Sequence, residues 1–394
     1  MRIATILCLL LAFLPGTAAA QIARTEWREV FSPDGTIQRV KLTRTPADAP
    51  APRSVIAAAD VVPIEVNGPS ESRFDLVFVG DGYTSGQFTT YGQHVRSKFA
   101  EIMAIEPFRS HRTQFNVWQV NVASPQSGVD NDPYGVNRNT AMDMGFYCGG
   151  IQRLLCVNET KAQQYAAQAP DVDQVLALGN STTYGGAGGR VATASGGNAQ
   201  SGQVAIHELG HSIGGLADEY EGGNRYTGGE PREPNVSIYS RETMRQYRLK
   251  WHAWLGQATP DGGVIDTYEG GYYYRYGVYR PSQNSIMRTL GRQFNLPGRE
   301  AMIAAFYRET GLIDAASGAS TTLWVRPVSS RVTTTWTVDG HYAGQGNALH
   351  VPSLRLAKGT HTVTATVTDN TPWVRDPALK RGSLTDTRTW SIGG

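Results

Sequence analysis

The groups able to do chemistry are concentrated in Ala205–Tyr220, AIHELGHSIGGLADEY. His207 and His211 stand four positions apart, with Glu208 next to the first. On an α-helix such a pair shares one face, its Cβ atoms about 5–6 Å apart. Two imidazoles so placed reach one tetrahedral zinc ion at about 2.0–2.1 Å. Glu208 sits one step round the helix and reaches a water in the ion's remaining position. Zinc lowers the pKa of that water towards about 7. A carboxylate beside it takes the proton and passes it to a leaving amine. The His-Glu-x-x-His spacing thus predicts a metal-dependent hydrolytic site, with Glu208 as base and His207 and His211 as ligands.

A third ligand is required. Gly214-Gly215 breaks the helix and turns the chain back. The extended form of the motif has a glycine seven positions after the first histidine and a ligand ten positions after it. Gly214 fits, but the tenth position is Ala217, which has no donor. Either the turn carries one extra residue and Asp218 binds, or Glu219 does. The remaining alternative is a glutamate from the later segment GGEPREP, Glu230 or Glu233, in poor helix sequence. Asp218 is the expected ligand.

The elements that must position these residues read as α/β. Phe74–Val79 is an apolar strand. A helix capped by Thr84 or Ser85 follows, with apolar positions at Phe88, Val95, Phe99 and Ile102. Phe115–Val122, Val172–Leu178 and the short run Arg190–Ala194 are further strands. The motif helix spans about Ser201–Gly214, and a helix over about Arg299–Thr310 closes the region. Only strands follow: Thr321–Arg326, Thr333–Val338, Leu349–Val351 and Thr360–Val367, a pattern predicting a small antiparallel β-sandwich. Upstream, Glu26–Phe31 and Ile37–Arg44 flank the hairpin-type turn Ser32-Pro33-Asp34-Gly35, and Pro46–Ala59 reads as a linker or strap. The expected organisation is a leader at 1–20, a β-rich strap or prodomain-like segment at 21–70, a catalytic domain at 71–316 and a β-sandwich at 317–394.

The bulk composition agrees with that reading. A chain of 394 residues, 40% hydrophobic and 18% charged, has room for two or three domains and is not disordered. A net charge of +2 argues against a nucleic-acid partner, which calls for a strongly basic face. No apolar run reaches the roughly 18 residues of a membrane span. Met1–Ala20 has a positive start, a short apolar run and Ala18-Ala19-Ala20 at its end, the pattern of a cleavable export signal. The expected location is therefore secreted or periplasmic, and the expected state a monomer. Cys8 leaves with the signal, so Cys148 and Cys156 remain to pair in an oxidising compartment. Asp130 and Asp132, in SGVDNDP, make either a calcium site or, as expected, a plain turn. Tyr184, at the head of a Gly-rich segment that includes a substrate-pairing edge strand, and Tyr276, after Tyr272-Tyr273-Tyr274, are candidates to line a substrate cleft.

Together these motifs resemble the IgA-peptidase family of bacterial zinc metallo-endopeptidases, within the metzincin-like zincins. The resemblance is carried by FDLVFVGDGYT (Phe74–Thr84), SGVD (Ser127–Asp130) and YGGAGG (Tyr184–Gly189). It continues in HELGHSIGGLADEY (His207–Tyr220), KWHAWLG (Lys250–Gly256) and YRPSQNSIMR (Tyr279–Arg288). It implies a metzincin-like zincin catalytic domain of α/β (α+β) class, with an immunoglobulin-like sandwich at the C-terminus. It implies one catalytic zinc on His207, His211 and Asp218, Glu208 as base, and protein or peptide substrates. LADEY also resembles the L-P-D-E-Y ending of the immune-inhibitor peptidases, whose aspartate is the ligand. Asn284–Arg288 resembles the Met-turn, with Met287 packed beneath the metal. Thr289 stands two residues after it, where metzincins often have a tyrosine. Two other function classes fit the motif: a non-catalytic binding protein for a surface glycan or protein, and a zinc amidase of cell-wall peptides. The intact Glu208 counts against the pure binder.

Overall fold

The computed structural model describes residues 24–44, 56–318 and 321–394. The expected leader at 1–20, and residues 46–55 of the expected linker, lie outside the described residues. At the N-terminus β1 (Arg24–Phe31) and β2 (Ile37–Arg44) form an antiparallel hairpin in which Phe31 faces Ile37. Its turn is closed by the Gly35 amide donating to the Ser32 carbonyl at 2.9 Å, and by the Thr36 amide donating to Asp34 at 2.9 Å.

A six-stranded sheet forms the middle of the molecule. It contains β3 (Asp60–Glu65), β4 (Phe74–Asp81), β5 (Phe115–Asn121), β6 (Gln174–Gly179), β7 (Gly186–Ala187) and β8 (Ala192–Ser195), in the order β3-β5-β4-β6-β8-β7. The four inner strands are parallel, while β3 and β7 run antiparallel at the two edges. Every residue of β4 is buried. A strand covered on both faces needs a continuous apolar run, and FDLVFVGD supplies it. Successive side chains then serve opposite faces. Leu76 and Phe78 pack with Tyr91, Val95 and Phe99 of α1 (Phe88–Met103), whereas Val77 and Val79 pack with Ala162 and Tyr165 of α2 (Glu159–Ala166).

On the α1 face, α3 (Gly202–Ser212) follows β8 directly. Farther along come α4 (Arg241–Tyr247), the pair β9 (Tyr268–Gly271) and β10 (Tyr274–Arg280), and α5 (Leu296–Thr310). Asn295 caps α5 by accepting the Gly298 amide at 3.0 Å, with Pro297 in the first turn. Ile206 and Leu209 of α3 join Met302 and Phe306 of α5 in the same apolar cluster as the sheet. The functional helix is thereby fixed between the sheet and α5.

The C-terminal region is almost entirely β. A three-stranded sheet holds β11 (Ile313–Gly318), β12 (Thr322–Pro327) and β15 (Ala348–His350). A four-stranded sheet holds β13 (Thr333–Val338), β14 (His341–Gln345), β16 (Thr360–Thr368) and β17 (Thr385–Gly393), with α6 (Pro377–Gly382) before the last strand. Leu323 and Val325 of one sheet share a core with Trp336, Val363 and Val367 of the other.

Two boundaries differ from the sequence expectation. β3 lies inside the segment expected to end at residue 70, yet it pairs with β5 in the central sheet. β11 begins at Ile313, and Ile303, Ala304 and Tyr307 of α5 are part of the C-terminal core. At the first join a long-range pairing, β3 with β5, crosses the expected boundary; at the second, α5 shares its buried side chains with the C-terminal core.

Candidate metal centre

α3 presents His207 and His211 on one face, one turn apart. The Nδ1 atom of His207 lies 3.0 Å from the Ile286 carbonyl, and Nδ1 of His211 lies 2.6 Å from the Leu216 carbonyl. A carbonyl only accepts, so each Nδ1 carries a proton and each Nε2 is left to face inward. The two Nε2 atoms stand 3.0 Å apart.

The chain reverses directly after α3. Gly215 has φ 59°, and its amide closes the helix on the His211 carbonyl at 3.0 Å. Asn235 then clamps Ala217 from both sides, accepting its amide at 2.7 Å and donating to its carbonyl at 2.8 Å. This carries the next residue, Asp218, under the histidines. Its Oδ1 lies 3.3 Å from Nε2 of His207 and 3.4 Å from Nε2 of His211. Its Oδ2 accepts the Tyr273 hydroxyl. Glu219 goes elsewhere. Fully buried, it accepts from Asn235 at 2.9 Å, Asn295 at 2.8 Å and Ser285 at 2.7 Å, tying the loop after α3 to the start of α5 and to the 284–288 turn. Glu230 and Glu233 also lie outside the cluster: Glu230 accepts from Ser237 and pairs with Lys250, and Glu233 accepts the Tyr272 hydroxyl.

A fourth donor comes from the N-terminal hairpin. Glu29 on β1 places Oε2 3.3 Å from Nε2 of His207 and 3.7 Å from Nε2 of His211, while its Oε1 accepts the Tyr220 hydroxyl. One donor atom from each of Glu29, His207, His211 and Asp218 lies within 4.8 Å of all the others. Donors about 2.0–2.1 Å from a tetrahedral ion stand about 3.3–3.4 Å from each other, and the measured separations bracket that value. Asp218 Oδ1 is buried without a hydrogen-bond partner, as a metal-ligating oxygen would be. The residues present therefore fit a metal ion.

Charge is concentrated here. Burial opposes protonation of His207, but the carboxylates of Asp218 and Glu29 prevail and lift its pKa to about 10. His211 is raised in the same way, chiefly by Asp218. Burial opposes ionisation of Asp218 in turn, and the two imidazoles hold its carboxyl well below the usual range. Glu208 is buried beside this cluster, with Oε1 unpartnered. Burial and then the Glu29 charge raise its pKa to about 7. Gly188, just past edge strand β7, comes so close that a Cβ there would lie 2.2 Å from Glu208 Oε1. Beneath the histidines, the Met287 sulfur lies against α3, where a Cβ on Gly210 would meet it at 2.6 Å.

Of the two cleft candidates, Tyr184 packs near Phe31 and Val204, its hydroxyl buried without a partner and its pKa pushed up to about 12 by burial. With Asp34, Gln203 and Leu290 it lines a cavity of about 330 Å³ under the hairpin turn. Tyr276 is 42% exposed between the guanidinium groups of Arg225 and Arg275, and its neighbour Tyr273 is the tyrosine that reaches the cluster. Cys148 and Cys156 form a disulfide with Cα atoms 5.9 Å apart. Asp130 accepts the Arg138 amide within its own loop, and Asp132 accepts the hydroxyls of Ser181 and Thr183, which ties that loop to the segment after β6.

Sequence reasoning missed Glu29, the tyrosine hydroxyls of Tyr220 and Tyr273, and the structural part played by Glu219. The order of residues in ADEY carried no sign of which carboxylate turns inward.

Two histidines and two carboxylates gathered beside a buried helix in a mixed α/β fold define a candidate metal-binding protein. The sequence matches the IgA Peptidase M64 family over residues 62–262 and 258–306, and the chain belongs to that family. No curated protein matches it. The matched region runs from β3 into α5 and includes α3, so it carries His207, Glu208, His211, Asp218 and Met287.

Proposed function

We propose that this protein is an exported zinc endopeptidase of metzincin-like build, in which His207, His211 and Asp218 hold the ion and Glu208 is the general base. The observation that carries the reading is the tetrahedral spacing of the donors beside the buried, unpartnered Glu208 oxygen. Two imidazole nitrogens and a carboxylate oxygen are a donor set suited to zinc. When bound, the ion supplies Lewis acidity that polarises a peptide carbonyl and acidifies water. Glu208 takes the proton of the attacking water and returns it to the departing amine. Its raised pKa of about 7 suits a group that must both accept and release a proton near neutrality. Met287 gives the histidine helix a packed floor. An extended peptide pairs along the edge of the sheet at Gly188, just past β7, whose Gly186 is already bridged to Leu154. The Met1–Ala20 leader supports export, as does the disulfide. Residues beyond 313 are read as an immunoglobulin-like accessory domain.

The test is Glu208→Gln in the mature chain. The variant is expected to keep one zinc per chain and to lose about 10²–10⁴-fold in kcat/KM on a peptide library. Full retention of hydrolysis with zinc bound overturns the role of Glu208. Bound zinc with no turnover by wild type, and none by Glu29→Gln, which lacks the carboxylate beside the histidines, favours a binding protein instead.

A further inference from the structure

Among the described residues, the hairpin β1–β2 has no apolar cluster of its own. Val30, Phe31, Ile37 and Leu42 are all buried, and the last three pack into clusters with the body of the molecule. Phe31 and Ile37 pack with Val204, Tyr220 and Leu290. The Phe31 ring stands edge-on to the His207 ring, 5.4 Å between centroids. Leu42 packs with Leu154 and Ala187, the latter in β7. Arg39 lies over the Tyr273 ring at 4.0 Å, and the Leu290 amide donates to the Gly35 carbonyl at 2.9 Å.

These contacts cover the surface a peptide substrate needs. β1 runs against β7, the terminal strand of the sheet. The Arg28 guanidinium donates to the Gly188 carbonyl at 2.5 Å, a backbone acceptor beside Glu208. In a strand, residues two apart share a face. Glu29 and Phe31 accordingly face the centre together, one at the donor cluster and one in the apolar pocket beside it. The family match begins at residue 62, beyond the hairpin.

We infer that Glu29 is a fourth ligand of the metal and that the hairpin is an intramolecular inhibitor seated in the substrate cleft. The inference rests on the peptidase reading. A catalytic zinc keeps one position open, whereas four protein donors close it. With Glu29 in place the open position is filled, and Phe31 and Arg28 occupy what a peptide's side chain and backbone would use. Tethering keeps the effective concentration of the carboxylate high, on the order of millimolar or more.

The experiment uses the full mature chain loaded with cobalt in place of zinc, as wild type, Glu29→Gln and Glu29→Ala. The glutamine can still accept the Tyr220 hydroxyl, which separates ligand loss from packing loss. Visible absorption reads the coordination sphere, and acetohydroxamate titration reads whether a position is open. Both variants are expected to change the cobalt bands and to bind acetohydroxamate at least tenfold more tightly than wild type. Their peptide hydrolysis is expected to rise at least tenfold, and Glu208→Gln in the Glu29→Gln background to abolish that rise. Identical bands and identical hydroxamate affinity in all three proteins overturn the inference, and peptide cleavage by wild type under that outcome leaves the peptidase reading intact. Changed bands and tighter hydroxamate binding without any peptide cleavage support Glu29 as ligand and overturn the peptidase reading.

Discussion

The N-terminal hairpin and the C-terminal sheets are both β-structure added to one central sheet, yet they bury their apolar side chains in different places. The C-terminal strands turn Leu323, Val325, Trp336, Val363 and Val367 toward each other. The hairpin turns Phe31 and Ile37 into the central body and sends Glu29 to the donor cluster. That core takes in Ile303, Ala304 and Tyr307 of α5 but is otherwise built from the region's own residues, so the region is stabilised largely by itself. A two-stranded ribbon alone is marginal in water, so the hairpin is ordered only by what it docks on. The contrast separates a part that adds stability from a part able to come and go.

The largest effect expected from breaking this contrast lies in the C-terminal core. Trp336 is fully buried, stacks on Trp390 at 5.5 Å and donates its indole N–H to the Gly346 carbonyl at 2.6 Å. Trp336→Ala is expected to destabilise that region by about 3–5 kcal/mol. Chemical denaturation followed by fluorescence checks the loss, and metal content per folded chain should not change. If metal content falls in step with stability, the two regions are not energetically separate.

Phe31→Ala removes a comparable buried ring, but from the hairpin. The expected cost is about 2–4 kcal/mol of docking free energy rather than of global stability. Hydrogen exchange should show β1 and β2 losing protection while β4–β6 keep theirs. A fall in global unfolding free energy matching that of Trp336→Ala would mean that the hairpin is an integral part of the core.

The same contrast explains how much was legible in the sequence. Features that depend on near neighbours could be read: the spacing of His207, Glu208 and His211, the continuous apolar run of β4, the hairpin turn at Ser32–Gly35, and the alternation in β16. Features that depend on distant neighbours could not. Glu29 is one acidic residue in an ordinary amphipathic strand, and its partner His207 lies 178 positions away. The choice between Asp218 and Glu219 turned on one added residue at Gly215 and on the clamp that Asn235 puts on Ala217, neither of which has a periodic signal. Tyr273 and Tyr276 look alike in the run YYYRY, yet only the strand geometry after β9 brings the first to Asp218. The place of β3 is of the same kind: its partner β5 lies about 55 positions away, and nothing in its own composition names it.

The smallest effect is expected at a surface pair in the C-terminal sheets. His361 on β16 is hydrogen-bonded through Nδ1 to Asp339 at 2.7 Å and through Nε2 to the Ala357 carbonyl at 2.9 Å. The Asp339 carboxylate, and then that carbonyl, raise the imidazole pKa above its ordinary 6.5. A base with a raised folded-state pKa binds its proton more tightly when folded, so its contribution is full below about pH 6.5 and fades as pH rises through the folded value. His361→Gln should therefore lower the melting temperature slightly at about pH 5 and leave it unchanged at about pH 9. Both groups are solvated, so the shift stays small. Acetohydroxamate affinity of the cobalt-loaded protein should be the same with and without the substitution at either pH. A substitution at His361 that opened or closed the metal would show that the C-terminal sheets act on the cleft, and would remove the distinction between a region that only stabilises and a hairpin that gates.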